Sequence, residues 1–117
     1  MGTSQNIILD KTFDFACDIL DLNDKLVSIH HFQLANQVIR SGTSIGANVT
    51  EAQRAVSKAD FINKLGIALK EADETKYWLR LINKKLFKID VKMNKEVEEI
   101  ISLLVAIINS SKKSEKK

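Results

Sequence analysis

Few side chains in this sequence combine the type and the spacing that catalysis or metal binding requires. His30 and His31 are adjacent, and neighbouring residues on a helix point about 100° apart, so the pair is poorly arranged to bind one metal ion. The HExxH pattern of zinc enzymes does not occur. We therefore expect the two histidines to lie in the turn that leads into the second helix.

Two carboxylates have a more suggestive spacing. Glu71 and Glu74 fall on one face of a helix, as in di-iron proteins, but those proteins also need Glu-x-x-His pairs, which are missing here. Cys17 lies in an apolar row without basic neighbours, so we expect a buried, unreactive thiol. The sequence predicts no catalytic residue, no metal and no cofactor. A weaker alternative is an enzyme with a carboxylate site around Glu51, Glu71 and Glu74.

The segment RSGTSIGANVTEA, residues 40–52, contains two glycines in a region that otherwise looks helical. A phosphate-binding loop would need the GxxxxGK[ST] spacing and a preceding strand. Neither is present, and one apolar seam continues through the segment: Leu34, Val38, Ile45, Val49 and Ala52.

We therefore predict that this segment is helical. Each interior glycine then costs about 1 kcal/mol relative to alanine, which a close helix–helix contact would offset. The contact is expected either inside the bundle or between subunits. Its predicted residues are Ser41, Gly42, Ser44, Ile45, Gly46 and Asn48.

The absence of proline favours long helices. We predict one all-α domain over residues 1–110, an antiparallel up-and-down four-helix bundle, followed by a disordered lysine-rich tail, 111–117. The helices are expected at about 9–27, 31–55, 58–88 and 94–110. The third is the clearest, since Ser57 and Asp60 form an N-terminal cap and the following apolar residues keep a heptad spacing. Asn94 is the expected cap of the fourth helix.

The first helix carries two apolar rows, so we expect it to be buried on two sides. One row is Phe13, Ala16, Cys17 and Leu20, and the other is Phe15, Ile19, Leu22 and Leu26. An acidic ridge, made of Asp10, Asp14, Asp18 and Asp21, follows the remaining side. Two interpretations of this ridge stay open: a solvated face, or a docking surface for a neighbouring subunit.

Polar side chains also follow the second and third helices. If the two strips face each other, Arg40 and Glu51 would form a partly buried network with Glu71 and Glu74. The alternative is ordinary surface pairing within one helix, such as Lys70 with Glu74.

The net charge of +3 is unevenly distributed along the chain. Residues 1–83 carry 9 basic and 10 acidic side chains, a net of −1, whereas residues 84–117 carry 9 lysines and 5 acids, a net of +4. Such a basic region favours an acidic partner such as RNA or DNA. The predicted nucleic-acid-binding residues are Lys84, Lys85, Lys88, Lys92 and Lys95.

The sequence also bears on the compartment. A single cysteine permits no internal disulfide, which favours a reducing environment. The start of the chain does not resemble a secretory signal, and no apolar run approaches the ~20 residues of a membrane span. We therefore expect a cytoplasmic protein without a membrane partner.

The longest stretch of recognisable pattern covers residues 34–86. It combines Arg40, the pair Ser44-Ile45 with Asn48, and Glu51, then Ser57 with Asp60-Phe61, then Glu71, Glu74 and Trp78. In this pattern the chain resembles a bacterial four-helix-bundle family encoded in intervening sequences of the large-subunit ribosomal RNA gene. Many relatives have proline and glycine where this chain has Gly46 and Ala52, which indicates a subgroup.

The resemblance implies a compact bundle that assembles into a homopentamer and has no established enzymatic activity. A related protein, the accessory variability determinant of diversity-generating retroelements, is a basic pentameric barrel that binds nucleic acid and a reverse transcriptase. Our leading hypothesis is a non-enzymatic homo-oligomer that binds RNA or DNA through its lysine-rich end and its tail. The alternative is a protein-interaction scaffold without a nucleic-acid partner.

Overall fold

Four helices make up nearly all of the chain that the computed structural model describes, which is residues 4–115, with side chains from 7 to 114. They are α1, Ser4–Ser28; α2, Phe32–Ala52; α3, Lys58–Lys85; and α4, Val91–Glu115. The prediction of four helices is confirmed, although their ends differ from the predicted ones. Helix α1 begins about one turn earlier, and α2 and α3 each end about one turn earlier.

The turns explain where the helices begin. Ser57 caps α3 as predicted: its hydroxyl accepts from the Asp60 amide at 3.0 Å, and the Asp60 carboxylate accepts from the Val56 amide at 3.1 Å. The two histidines lie in the turn between α1 and α2, where His30 has a left-handed φ of 66°. This conformation reverses the chain within three residues.

Helix α4 differs most from its prediction. The Asp90 carboxylate accepts from the Lys92 amide at 2.9 Å, so Asp90 precedes the helix and the predicted cap at Asn94 is wrong. At the other end, no proline or glycine stops the helix, which continues to Glu115. Residues 111–115 of the predicted disordered tail are therefore helical, and residues 116–117 lie outside the described part.

Consecutive helices run in opposite directions. Thr12 packs beside Gly46 and Ile19 beside Gly42, so residue numbers rise along α1 as they fall along α2. The other interfaces show the same reversal. Between α2 and α3 the pairs are Ser41 with Thr75 and Glu51 with Lys64. Towards α4, Lys76 of α3 pairs with Glu98 and Asn83 with Ile89, while Lys11 of α1 pairs with Glu99 and Asp18 with Glu96. Helices α1 and α4 also contact each other, whereas α1 and α3 lie diagonally and do not. This order is the predicted up-and-down bundle.

Only one of the two apolar rows of α1 faces the core. Phe15, Ile19 and Leu26 are fully buried, but 69% of Phe13 and 49% of Leu20 remain exposed, and Cys17 is exposed as well. The predictions of a helix buried on two sides and of a buried thiol are therefore wrong. The reason is that α2 and α4 flank the inner row, and no helix of the bundle covers the outer one.

Candidate functional site

Positive charge collects at the end of the bundle where α1 and α3 both terminate. Lys84 and Lys85 are the last residues of α3, and Lys88 follows in the connection. All three are exposed, and they form no ion pair within the described residues. Lys25 of α1 joins them, with its ammonium 4.1 Å from the centre of the Phe87 ring. We call these residues the lysine end.

Lys25 was not predicted, because it is far from the other lysines in sequence. The antiparallel arrangement brings it there, and its position in the last turn of α1 was the available signal.

The other two predicted lysines lie on the side of the bundle. Lys92 lines a groove of about 280 Å³ between α1 and the start of α4, together with Asp18 and Asp21 and with Lys25 and Lys88 of the lysine end. Lys95 lies one turn further along α4, in a shallow groove beside Lys11. The structure therefore does not gather all five lysines into one patch.

The two lysines of the tail that the structure describes lie at the opposite end. Lys112 and Lys113 are in the last turn of α4, and the bundle is about 52 Å long. The charge excess of residues 84–117 is thus divided between both ends, so the tail does not join the lysine end within one chain.

The groove between α1 and α4 contains a carboxylate with an altered pKa. Burial raises the pKa of Glu96 above its ordinary value of 4.5, Lys92 partly opposes this change, and Asp18 raises the pKa further through charge and a hydrogen bond. One oxygen of Glu96 is buried and accepts no hydrogen bond. Glu99 lies one turn away. Lys11 lowers the pKa of Glu99 through a hydrogen bond and through its charge, and the Lys11 Nζ lies 3.0 Å from Oε1 of Glu99.

The small residues of α2 mostly face the interior. Gly42 and Gly46 are buried against α1, where a methyl group on Gly42 would lie 2.6 Å from Cγ1 of Ile19, and one on Gly46 3.3 Å from the Thr12 carbonyl oxygen. Ser41 and Ile45 are also fully buried. Of the two predicted alternatives, the close contact is therefore the one inside the bundle.

Ser44 and Asn48 do not take part in this contact. They are half-buried, and both bond to their own helix: the Ser44 hydroxyl donates to the Arg40 carbonyl at 2.6 Å, and the Asn48 amide donates to the Ser44 carbonyl at 2.8 Å.

A buried hydroxyl pair joins α2 to α3. The oxygens of Ser41 and Thr75 lie 2.9 Å apart, and Thr75 also lies 2.8 Å from the Glu71 carbonyl. Both residues are fully buried. No distinct pattern in the sequence predicts this pair, because threonine at a heptad position also suits ordinary packing.

The polar strips of α2 and α3 do face each other. The Arg40 guanidinium donates to Glu71 at 3.1 Å and also to Glu74, and the Trp78 indole donates to Glu74 at 3.0 Å. Glu51 is not part of this group, since it lies near the end of α2, 3.9 Å from Lys64.

This arrangement bears on the carboxylate-site alternative. Glu71 and Glu74 both pair with Arg40, whereas Glu51 is remote from both, so the three do not assemble into one site. Within residues 4–115, no three His, Cys, Asp or Glu side chains are grouped as a metal site requires.

Helix packing, the buried strip of small residues and the paired strip around Arg40 together define a four-helix bundle. No described helix is long and apolar enough to cross a bilayer. The chain belongs to the 23S rRNA-intervening sequence protein family, whose model matches residues 4–110. This confirms the family resemblance of residues 34–86.

One similar solved structure comes from Bacteroides thetaiotaomicron. It is a 1.70 Å crystal structure described as a protein with unknown function from the S23 ribosomal protein family. The two sequences are 46% identical, the match covers 92% of this chain and 99% of that chain, and the TM-score is 0.84. A comparison with functionally curated proteins found no significant match.

Proposed function

We propose that this chain is a non-enzymatic, homo-oligomeric bundle of the cytoplasm that binds RNA or DNA through its lysine end. The observation that carries the proposal is the exposure of Lys84, Lys85 and Lys88 at one end, without ion pairs to the described residues. Lysines that are free of acidic partners can displace the counterions of a phosphate backbone, which is the main source of non-specific affinity.

The lysine end favours recognition of the backbone over recognition of bases. Phe87 is the aromatic side chain that Lys25 contacts, and it is half-buried beneath Lys25, so it offers no open ring for base stacking. Binding is therefore expected to tolerate changes of nucleotide sequence and to weaken steeply with salt.

Assembly would multiply this charge. The family resemblance implies a homopentamer, and a ring with the bundles side by side would place five lysine ends on the same face. A single lysine end makes few phosphate contacts, whereas a ring of five makes enough for an affinity that depends strongly on salt concentration.

A binding role is also favoured over catalysis by the state of the acidic residues. Arg40 donates to both Glu71 and Glu74, and Trp78 donates to Glu74, so both carboxylates already have partners within the bundle.

Fluorescence anisotropy with a structured RNA and a duplex DNA, at two salt concentrations, tests the proposal. The double variant Lys85→Glu/Lys88→Glu should lose at least tenfold in affinity and show a weaker salt dependence. The matched control is Lys112→Glu/Lys113→Glu, which makes the same charge change in the last turn of α4. Equal losses in both variants, or no loss in the first, would contradict the role of the lysine end.

The second candidate function is a protein-interaction scaffold. The specific observation in its favour is the exposed outer row of α1, with Phe13 and Leu20 facing solvent. A well-formed oligomer that binds neither nucleic acid, with its mass determined by light scattering on the same sample, would favour this candidate over the first.

A further inference from the structure

The outer face of α1 has the spacing of a helix-packing seam. Phe13, Cys17, Leu20, Asp24 and Val27 follow one another at steps of four, three, four and three residues, which is the heptad spacing that packs against another helix. Phe13, Leu20 and Val27 are 69%, 49% and 41% exposed. A contiguous apolar row of this kind on a soluble domain indicates an interaction surface.

The charges beside this face restrict its partner. Asp10, Asp14 and Asp21 are exposed next to the seam, and Asp24 lies within it. Two copies of the outer face of α1 would bring these carboxylates together, which is unfavourable. The expected partner surface is therefore a helix that is basic and partly apolar.

The outer face of α3 matches this description. Its exposed residues include Tyr77, at 56%, and Leu81, at 36%. Lys70, Arg80 and Lys84 are exposed and form no ion pair with the described residues. These residues fall on a seam with the same alternating steps: Gly66, Lys70, Asp73, Tyr77, Arg80 and Lys84.

Gly66 gives an independent reason to expect a neighbour at this face. A methyl group at this position would meet nothing within 4 Å, so the bundle itself does not require glycine there. A mid-helix glycine nevertheless costs about 1 kcal/mol relative to alanine. Close approach of another helix would offset that cost.

The two faces also agree in height along the bundle. Ile19 packs beside Gly42, and the adjacent Ser41 packs beside Thr75, so Ile19 and Thr75 lie at about the same level. Helices α1 and α3 are both antiparallel to α2 and therefore run in the same direction. With equal rise per residue, Leu20 comes level with Lys76, one residue before Tyr77.

The rest of the register follows from this level. Two turns below Leu20, Phe13 falls between Gly66 and Lys70. Two turns above it, Val27 falls between Arg80 and Lys84. The acidic residues fall at the same heights as the basic ones, Asp14 near Lys70 and Asp24 near Arg80.

We propose that the outer face of α1 packs in parallel against the outer face of α3 of a second copy. The inference deepens the self-association that forms part of the proposed function. Because the two faces differ and belong to the diagonally placed helices, the contact is head-to-tail, and it forms a ring if successive rotations close. It covers Phe13 and Leu20, and it brings each acidic row against a basic one.

Two variants with one disabled face each provide the test. Leu20→Arg disables the α1 face, and Tyr77→Glu disables the α3 face. Both positions are exposed, so the bundle should fold, which circular dichroism would check. Each variant alone should be smaller than the wild-type assembly by light scattering. An equimolar mixture should form a one-to-one heterodimer, because each chain retains the face that the other lacks.

The matched control is Val105→Arg on α4, which is 39% exposed and should keep the wild-type mass. A wild-type chain that stays monomeric would overturn the proposed self-association, and this interface with it. A wild-type oligomer that neither variant reduces would overturn the interface alone. Variants that become monomeric but do not pair when mixed would exclude a head-to-tail contact.

Discussion

Helix α1 has two neighbours, and it meets them in different ways. Towards α2, the contact is made by glycines, with Gly42 against Ile19 and Gly46 against the backbone of Thr12. Towards α4, the contact includes long charged side chains, with Lys11 bonded to Glu99 at 3.0 Å, and the interface opens into a groove of about 280 Å³.

The difference shows how side-chain size sets the distance between helices. Residues without a side chain let the backbone of one helix approach the side chains of the other, so the contact is dry and close. Charged side chains must keep their ends in water, and they hold the helices further apart. One helix thus has a tight side that fixes its position and a looser, hydrated side that tolerates change.

The largest effect should come from filling the tight side. Gly42→Ala would place a methyl group 2.6 Å from Cγ1, 2.7 Å from Cδ1 and 2.9 Å from Cγ2 of Ile19, so the whole side chain, and not one flexible tip, would have to move. Overpacking of this kind typically lowers the free energy of unfolding by about 1–3 kcal/mol. Urea denaturation at a fixed protein concentration measures it.

The matched substitution, Gly66→Ala, should have the opposite sign when it is made in the Leu20→Arg background, which lacks the proposed contact between copies at Gly66. The added methyl group meets nothing within 4 Å, and alanine is the better helix former by about 1 kcal/mol, so the free energy of unfolding should rise by up to that amount. The measurement is the same denaturation series. If both alanines raised stability, the α1–α2 contact would be looser than the structure indicates.

On the looser side, Glu96→Gln should stabilise the chain at neutral pH. Burial raises the pKa of Glu96 above 4.5, and Asp18 raises it further. The folded state therefore loses stability as the pH rises from 4.5 through the higher folded-state pKa. Glutamine does not ionise and avoids the loss. The gain should be present at neutral pH and vanish in acid, as a comparison of urea midpoints across pH would show.

The contrast between the two sides of α1 was only partly visible in the sequence. The glycines of α2 predicted a close helix–helix contact, because the apolar seam of a helix continues through them. The two apolar rows of α1 were not distinguishable, because Phe13 and Leu20 have the same spacing and character as Phe15 and Leu22. Which row faces inward depends on where α2 and α4 lie, and this is a property of the whole bundle.

The lysine end illustrates the same limit. Lys84, Lys85 and Lys88 were predicted together and lie together, because they share one short segment. Lys92 and Lys95 turn towards α1 once α4 begins at Val91, and a helix start that is wrong by one turn rotates every assignment after it. Lys25 was missed because only the antiparallel arrangement brings it to that end.

The smallest effect, and the sharpest contrast with Glu96→Gln, should come from Glu99→Gln. These two glutamates lie one turn apart, yet their pKa values move in opposite directions, since Lys11 lowers that of Glu99 through a hydrogen bond and its charge. The stabilisation from Glu99 is therefore present above the ordinary value of 4.5 and is lost as the pH falls through the lower folded-state pKa.

Glu99→Gln should thus slightly destabilise the chain at neutral pH and leave it unchanged in acid. The change should be close to the limit of measurement, because the side chains of Lys11 and Glu99 are 39% and 44% exposed and salt screens such pairs. Urea midpoints in low and high salt would test this. If both glutamine variants shifted the free energy of unfolding in the same direction at neutral pH, Glu96 and Glu99 would have similar surroundings. The opposite pKa shifts of the two carboxylates would then be wrong.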